Sequence, residues 1–336
     1  MRAIEVREFG VDKVVIVDRE RPTPGSGQVL VRLRAVSLNY RDLMVIKGQY
    51  NPRMRLPAVP FSDGAGEVVD AGEGAGRFKS GDRVCGTFMP AWISGEVDET
   101  KAKSALGAGV DGVGSEYVVF NESALVEIPK HLSFEEAATL PCAGVTAWNA
   151  LVTTGHLRPE ETVLLQGTGG VSMFALQFAQ LMKARVIAMS SSDAKLARVR
   201  EMGIADTINY RAVPDWDKLV REMTNGRGVD HVIEVGGAET LPKSLKAVRM
   251  GGTISLIGVL SGAGEVNFVP IFMRSIRLQG IFVGSREMFE DMNRAITMHE
   301  LRPIVDRVFP IDEIRDALHY MESGSHFGKI CLSFDL

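Results

Sequence analysis

From residue 162 to 180 the chain reads TVLLQGTGGVSMFALQFAQ, a strand-length apolar run, a glycine turn and a helix-forming stretch in succession. That order is what a pyrophosphate needs. Gly167 allows the tight turn and Gly169 lets the backbone come close, with Thr168 and Gly170 completing the loop. The helix beginning near Val171 then directs its free N–H groups at the phosphates. Ser172 stands where a third glycine would complete G-x-G-x-x-G. That position governs helix–strand packing, and a small serine is tolerable there.

The next apolar run, ARVIAMSSSDAKL, should end where the ribose of a bound dinucleotide lies. A site for NADH places an acidic residue there, to grip the ribose 2′-hydroxyl. Here Ser190, Ser191 and Ser192 come first, followed by Asp193 and Lys195. Hydroxyls with a nearby cation suit a 2′-phosphate, which a carboxylate would repel, so NADPH is the expected cofactor. NADH stays open through a reading in which Asp193 turns inward and Lys195 is a solvated helix residue. Tyr210, after DTIN, is a further candidate for the adenosine-phosphate pocket or a plain strand-end residue.

These residues need elements to position them. From about 126 to 285, apolar runs (TVLLQG, RVIAMS, DTINY, VDHVIEVG, GTISLIGV, IRLQGIFVG) alternate with helix-like stretches. Continuous apolar strands separated by helices mean a parallel sheet covered on both faces, here a doubly wound α/β fold of six strands. Residues 1–125 read instead as short strands with glycine-rich turns, VLVRLRAVSL alternating as a half-buried strand does. Residues 90–114 are polar and glycine-rich, a long surface excursion. The final GKICLSF reads as a strand that returns to the first domain.

Bulk properties narrow the partners. The chain has 336 residues, enough for two cores, and 38 basic against 42 acidic residues give a net charge of −4. That balance argues against nucleic acid as the main partner. No apolar run reaches the roughly 18–20 residues of a membrane span. Three scattered cysteines, Cys85, Cys142 and Cys331, make no disulfide framework. A cytoplasmic protein acting on a small molecule is expected.

The segments LNYRDL, PFSDGAGEVVDAGEG, SGDRV, LPCAGVTAWNAL, VLLQGTGGV, GRGVDHVIEVGG and HFGKICL together resemble the medium-chain dehydrogenase/reductase superfamily, across essentially the whole chain. The nearest branch is the zinc-independent quinone oxidoreductase-like one. The resemblance implies a GroES-like β-rich catalytic domain (1–125 and 286–336) and a Rossmann dinucleotide-binding domain (126–285). Zinc alcohol dehydrogenases of the superfamily take ligands from a cysteine, a histidine followed by glutamate, and a second cysteine. By the resemblance those positions are Asn39, Ser62, Asp63 and Cys142, the last lying 25 residues before Gly167. A catalytic zinc needs about three protein ligands. No histidine precedes His131, and Met44 stands at the proton-relay position. No zinc is therefore expected.

Without a metal, hydride addition to a plain aldehyde lacks a Lewis acid for the alkoxide. Addition to a quinone or a conjugated enone spreads the charge, and ordinary hydrogen-bond donors suffice. The resemblance nominates Asn39, Tyr40, Asp42 and Tyr50 as catalytic candidates. Asn39 would bond substrate or nicotinamide ribose, and a tyrosine would donate a proton or bind the acceptor oxygen. For Arg41 and Asp42 the favoured alternative is a structural one, pairing with each other or with their surroundings. Phe61 and Trp92 either line a flat apolar pocket suited to ring substrates or belong to the core, where aromatics more often lie. Around the nicotinamide the resemblance places Cys142, Thr146, Ile257, Gly258 and Val259, with Val283 and Arg286 on the last Rossmann strand. That strand is expected to pair with its copy in a homodimer or homotetramer. Two rival readings remain: an alcohol dehydrogenase with a metal on Cys142, Asp63 and Asp42, and a non-catalytic NADPH-binding sensor.

Overall fold

The computed structural model describes residues 1–258, 260, 262 and 264–335. Seven strands come first: β1 (Arg2–Val6), β2 (Val14–Asp18), β3 (Gln28–Leu38), β4 (Asp63–Ala71), β5 (Arg83–Gly86), β6 (Tyr117–Asn121) and β7 (Leu125–Glu127). Then follow β8 (Thr162–Gln166), β9 (Arg185–Ser190), β10 (Asp206–Asn209), β11 (Val229–Glu234), β12 (Val248–Leu256) and β13 (Arg277–Gly280). The chain closes with β14 (Val305–Pro310) and β15 (Lys329–Ser333). Two compact units result, Met1–Val145 with Val283–Leu336, and Thr146–Phe282.

In the strand-rich unit β3 is the axis. Its first half exposes Arg32, whereas Ala35–Leu38 is buried on both faces. The reason is its neighbours: β4 pairs along one side, while β6 covers residues 28–32 and β15 residues 35–38 on the other. The sheet runs β14-β15-β3-β4-β5-β7, and β1 pairs with β2 apart from it. The closing strand does return to the first one. Val31, Leu33, Val36 and Leu38 of β3 join Ile330 and Leu332 of β15 in one apolar core.

The second unit is a parallel six-stranded sheet in the order β10-β9-β8-β11-β12-β13. Helices Gly170–Leu181, Asp193–Glu201, Trp216–Met223 and Leu241–Ala247 connect successive strands. β8 and β11, at its centre, are buried at every residue, so the apolar middle of β8 is flanked by buried Thr162 and Gln166, and Asp230, His231 and Glu234 of β11 are internal polar groups.

Two boundaries differ from the sequence reading. The chain leaves the strand-rich unit at Val145, not near 126, because residues 128–136 are fastened there: Ile128 N–H donates to Arg83 O, Arg83 to Leu132 O, and Arg302 pairs with Glu136. The last parallel strand ends at Gly280, so Val283 and Arg286 do not lie on it. The 90–114 excursion is also more than surface, since Trp92, Leu106 and Val113 are buried and Glu99–Lys103 is a short helix.

At the start of β11, Asp230 is buried and braces β8 through the Thr162 amide. Burial raises its pKa, but the Arg227 guanidinium, the Thr162 amide and Arg249 outweigh it and bring the carboxyl down to about 2. A depressed carboxylate stabilises the fold above its unfolded pKa and loses that contribution as pH falls toward the folded value. Asp230→Asn should therefore cost about 1–2 kcal/mol at pH 7, after allowance for screening. In urea unfolding, the gap to wild type should close between pH 4 and pH 2.

Candidate active site

Three adjacent strands, β15, β3 and β4, bring a charged centre together at one end of the sheet. Ile330 pairs with Leu38, and Ser37 pairs with Asp63, so Lys329, Asn39 and Asp63 are near neighbours by register. Lys329 is 4% exposed. Its ammonium donates to the Leu38 carbonyl at 2.5 Å and to Asn39 Oδ1 at 2.6 Å. That bond fixes the Asn39 carboxamide with Nδ2 turned away from the lysine and toward the Asp63 carboxylate, whose pKa it helps to lower without reaching ordinary hydrogen-bond distance.

Asn39 also begins the helix Tyr40–Ile46, and its N–H donates to Asp42 Oδ2 at 2.8 Å. Asp42 is fully buried. Burial, opposed by the Arg41 charge and assisted by Asp63, raises its carboxyl to about 6. Asp63 is equally buried, accepting from Ser62 Oγ at 2.7 Å and from the Cys142 N–H at 3.0 Å. Burial raises this carboxyl too, against the Lys329 charge. Cys142 sits in a wide π-helical turn, Leu140–Gly144, pinned to β4 by that amide bond. Burial and the Asp63 charge push its thiol pKa well up, against Lys329 and Arg41, so the thiol stays protonated at neutral pH.

Arg41 lies over the rings of Tyr50 (5.2 Å) and Phe88 (4.7 Å), and its Nη1 is 3.6 Å from Asp42 Oδ1. Tyr40 and Tyr50 are both exposed. Phe61 is corrected by the structure. It is fully buried at a φ of 75°, with the Gly112 backbone close against its carbonyl, and belongs to the apolar core, so it offers no surface to a ligand. Trp92 is buried as well, its indole N–H donating to Gly95 O. Arg286 donates to Ser123 O and pairs with Glu290, which places its guanidinium within the strand-rich unit.

The glycine turn of the second unit has the form its sequence suggests. Gly167 takes a φ of 75°, and a Cβ at Gly167 or Gly169 would meet open space, leaving the backbone approachable. The helix starts at Gly170, one residue earlier than expected, with Val171 in its first turn. Ser172 is buried and donates to Gln166 O at 2.7 Å, tying helix to strand as a third glycine would by close packing. Thr168 is buried in the turn.

At the end of β9, Ser190 Oγ accepts the Ser192 N–H, Ser192 caps the next helix at the Lys195 N–H, and Tyr210 N–H donates to Ser190 O. Ser191 and Lys195 are half-buried beside them. The Asp193 carboxylate accepts from Asn209 Nδ2 at 2.9 Å. Ile257 and Gly258 both donate to Glu234 O, and a Cβ at Gly258 would collide with Val235 O. Thr146 is buried in the helix Val145–Trp148. Val259 lies outside the described residues.

Comparison with known proteins agrees with this geometry. Residues 25–130 match the alcohol dehydrogenase GroES-like domain family and 170–298 the zinc-binding dehydrogenase family. A zinc-type alcohol dehydrogenase-like protein of Schizosaccharomyces pombe is 45% identical, over 92% of this chain and 91% of its own length. The chain belongs to the medium-chain dehydrogenase/reductase superfamily. It is accordingly an oxidoreductase of the nicotinamide-dependent kind. The crystal structure of an NAD-dependent alcohol dehydrogenase superposes with a TM-score of 0.90 at 35% identity, covering 99% of each chain. Two reductases are also similar: an acryloyl-coenzyme A reductase of Metallosphaera sedula (29% identical; 93% and 94% of the two chains) and a quinone oxidoreductase of Pongo abelii (27%; 97% and 95%).

Two residues of this medium-chain dehydrogenase/reductase were missed in the sequence. A lysine opening a strand, as in GKICLSF, reads as a surface charge, and only the burial of all of β15 shows Lys329 to be internal. Glu234 is the other. It is fully buried and accepts from the Gly236 and Gly237 amides, Thr240 Oγ1, Gln166 Nε2 and Ser244 Oγ. An acid closing the apolar run VDHVIE, before two glycines, was its signal.

Removing one partner from a buried charge pair leaves the other uncompensated, which costs roughly 3–5 kcal/mol. Lys329→Met should lose stability in that range by urea unfolding at pH 7. Adding Asp63→Asn should recover part of the loss rather than deepen it.

Proposed function

We propose that this chain is a zinc-independent, NADPH-dependent reductase that delivers hydride to a quinone or an α,β-unsaturated carbonyl. The observation that carries the reading is the composition of the charged centre. The family description implies zinc, and this donor set does not suit one. Both Asp63 oxygens and the Asn39 oxygen are already engaged by protein donors. An ammonium buried among them would repel a dication. Among the described residues, no three His, Cys, Asp or Glu side chains are grouped to hold a metal.

The second unit binds the dinucleotide, with Ser190, Ser191, Ser192, Lys195 and Tyr210 at the ribose end. The engagement of Asp193 by Asn209 supports NADPH over NADH, since that carboxylate is held where it accepts an amide. Bound NADPH supplies a hydride. In the strand-rich unit, Asn39 Nδ2 is a donor for the acceptor oxygen, where the delocalised negative charge develops. Asp42, with a carboxyl near pKa 6 and an Oδ1 without a hydrogen-bond partner, holds the proton that quenches it. Tyr40 and Tyr50, exposed on either side of this turn, are the remaining donors.

We also infer that the protein is a homodimer through β13. That strand is an edge of its sheet, and Phe268, Phe272 and Met273 on the segment leading into it, with Met250 on the neighbouring β12, stand 65–69% exposed. A two-fold axis would pair the edge with its copy and cover the apolar side chains of both.

The reading predicts turnover of a quinone or a conjugated enone with NADPH after chelator treatment, at least tenfold above NADH in kcat/KM, and none of the matched saturated aldehyde. Lys195→Glu should invert the cofactor ratio. Because the Asp42 proton is lost above about pH 6, kcat/KM should decline there. Asp42→Asn should lower kcat on the order of 10²-fold and abolish the decline. Activity confined to the saturated aldehyde would overturn the assignment. Phe272→Glu should yield monomers by light scattering.

A further inference from the structure

Arg41 carries more hydrogen-bonding capacity than the protein uses. Its side chain is 11% exposed. Nη1 donates to the Leu106 carbonyl at 2.9 Å and faces Asp42 Oδ1 at 3.6 Å. Nε and Nη2 are both buried and have no hydrogen-bond partner among the described residues. Those two nitrogens form the side edge of the guanidinium, whose parallel N–H groups match the two oxygens of a carboxylate. Packing against Tyr50 and Phe88 attracts the cation to the rings but leaves in-plane N–H groups without acceptors. Arg41 is close enough to the centre for its charge to act on both Asp42 and Cys142.

We propose that the side edge of Arg41 is the recognition site for a carboxylate on the substrate, so that the acceptor is a conjugated acid rather than a neutral enone or quinone. The inference rests on the reductase reading and narrows its substrate class. Two features favour a carboxylate over other anions. With Asp42 holding its proton, two cations, Arg41 and Lys329, face one carboxylate, Asp63, so a monoanion completes the charge balance and a phosphate dianion oversteps it. Tyr50, exposed beside the guanidinium, also suits a planar group attached to a conjugated carbon frame. Asn39 Nδ2, two residues before Arg41, remains available for the second oxygen function of such a molecule.

The test uses the full-length protein with NADPH and two acceptors, a γ-keto-acrylic acid and its methyl ester. Wild type should show a lower KM for the acid than for the ester. Arg41→Lys keeps the charge but loses the bidentate edge, and should raise the acid-to-ester KM ratio at least tenfold. Equal KM values for the two acceptors in wild type, or a ratio unmoved by Arg41→Lys, would overturn the proposal. Calorimetric titration with the saturated γ-keto acid, which cannot be reduced at a conjugated bond, separates this inference from the reductase reading. Binding to wild type that weakens tenfold in Arg41→Lys supports the carboxylate site even if neither acceptor turns over. No binding to wild type contradicts the site even if the ester is reduced.

Discussion

The ammonium of Lys329 lies inside the protein, and its loss of hydration has to be offset by groups arranged before any substrate arrives. Two do so directly, the Leu38 carbonyl and the Asn39 oxygen, and the Asp63 carboxylate does so through its charge. Each comes from a neighbouring strand of one sheet, so the β15-β3-β4 register and the charge balance are mutually dependent. Such pairs are weak evidence of stability, yet they hold side chains in a single arrangement. Here the arrangement fixes which end of the Asn39 carboxamide is free. It also ties Cys142 by its amide to the Asp63 carboxylate. On the reading proposed above, this protein cation takes the electrostatic role of a divalent metal, without the metal's open coordination position.

The second unit applies the same logic to an uncharged problem. A pyrophosphate loop must keep its backbone N–H groups bare and still be rigid. Glu234 contributes to that rigidity from below. By accepting from Gln166 at the end of β8 and from the two glycine amides after β11, it locks two adjacent strand ends together. Ser172 then draws the helix onto the strand through the Gln166 carbonyl. The loop residues themselves keep open space around them, as Gly167 and Gly169 do.

Much of this was legible in the sequence because it is periodic or local. Alternating apolar strands and helices specify a parallel sheet, and the glycine spacing locates the open turn between β8 and its helix. The positions of Asn39, Asp63 and Cys142 followed from short motifs. What was not legible depends on tertiary burial. Lys329 looks like a solvated residue until β15 is seen in the middle of a sheet. Phe61 looks like a pocket aromatic until the strained turn at that residue buries it. Val283 and Arg286 extended an apolar run, so the strand seemed to continue past Gly280 where the chain in fact turns back to the first unit. The unused edge of Arg41 is invisible without knowing which of its N–H groups find acceptors.

The account's central claim is that the charged centre works with an internal ammonium in place of a metal. Cobalt(II) titration of chelator-treated protein tests it most directly, because a thiolate-bound cobalt ion gives an intense near-ultraviolet charge-transfer band. The account predicts no such band and no stoichiometric uptake in the wild-type protein at micromolar cobalt. One tightly held cobalt per chain, with a thiolate band abolished by Cys142→Ser, would contradict it.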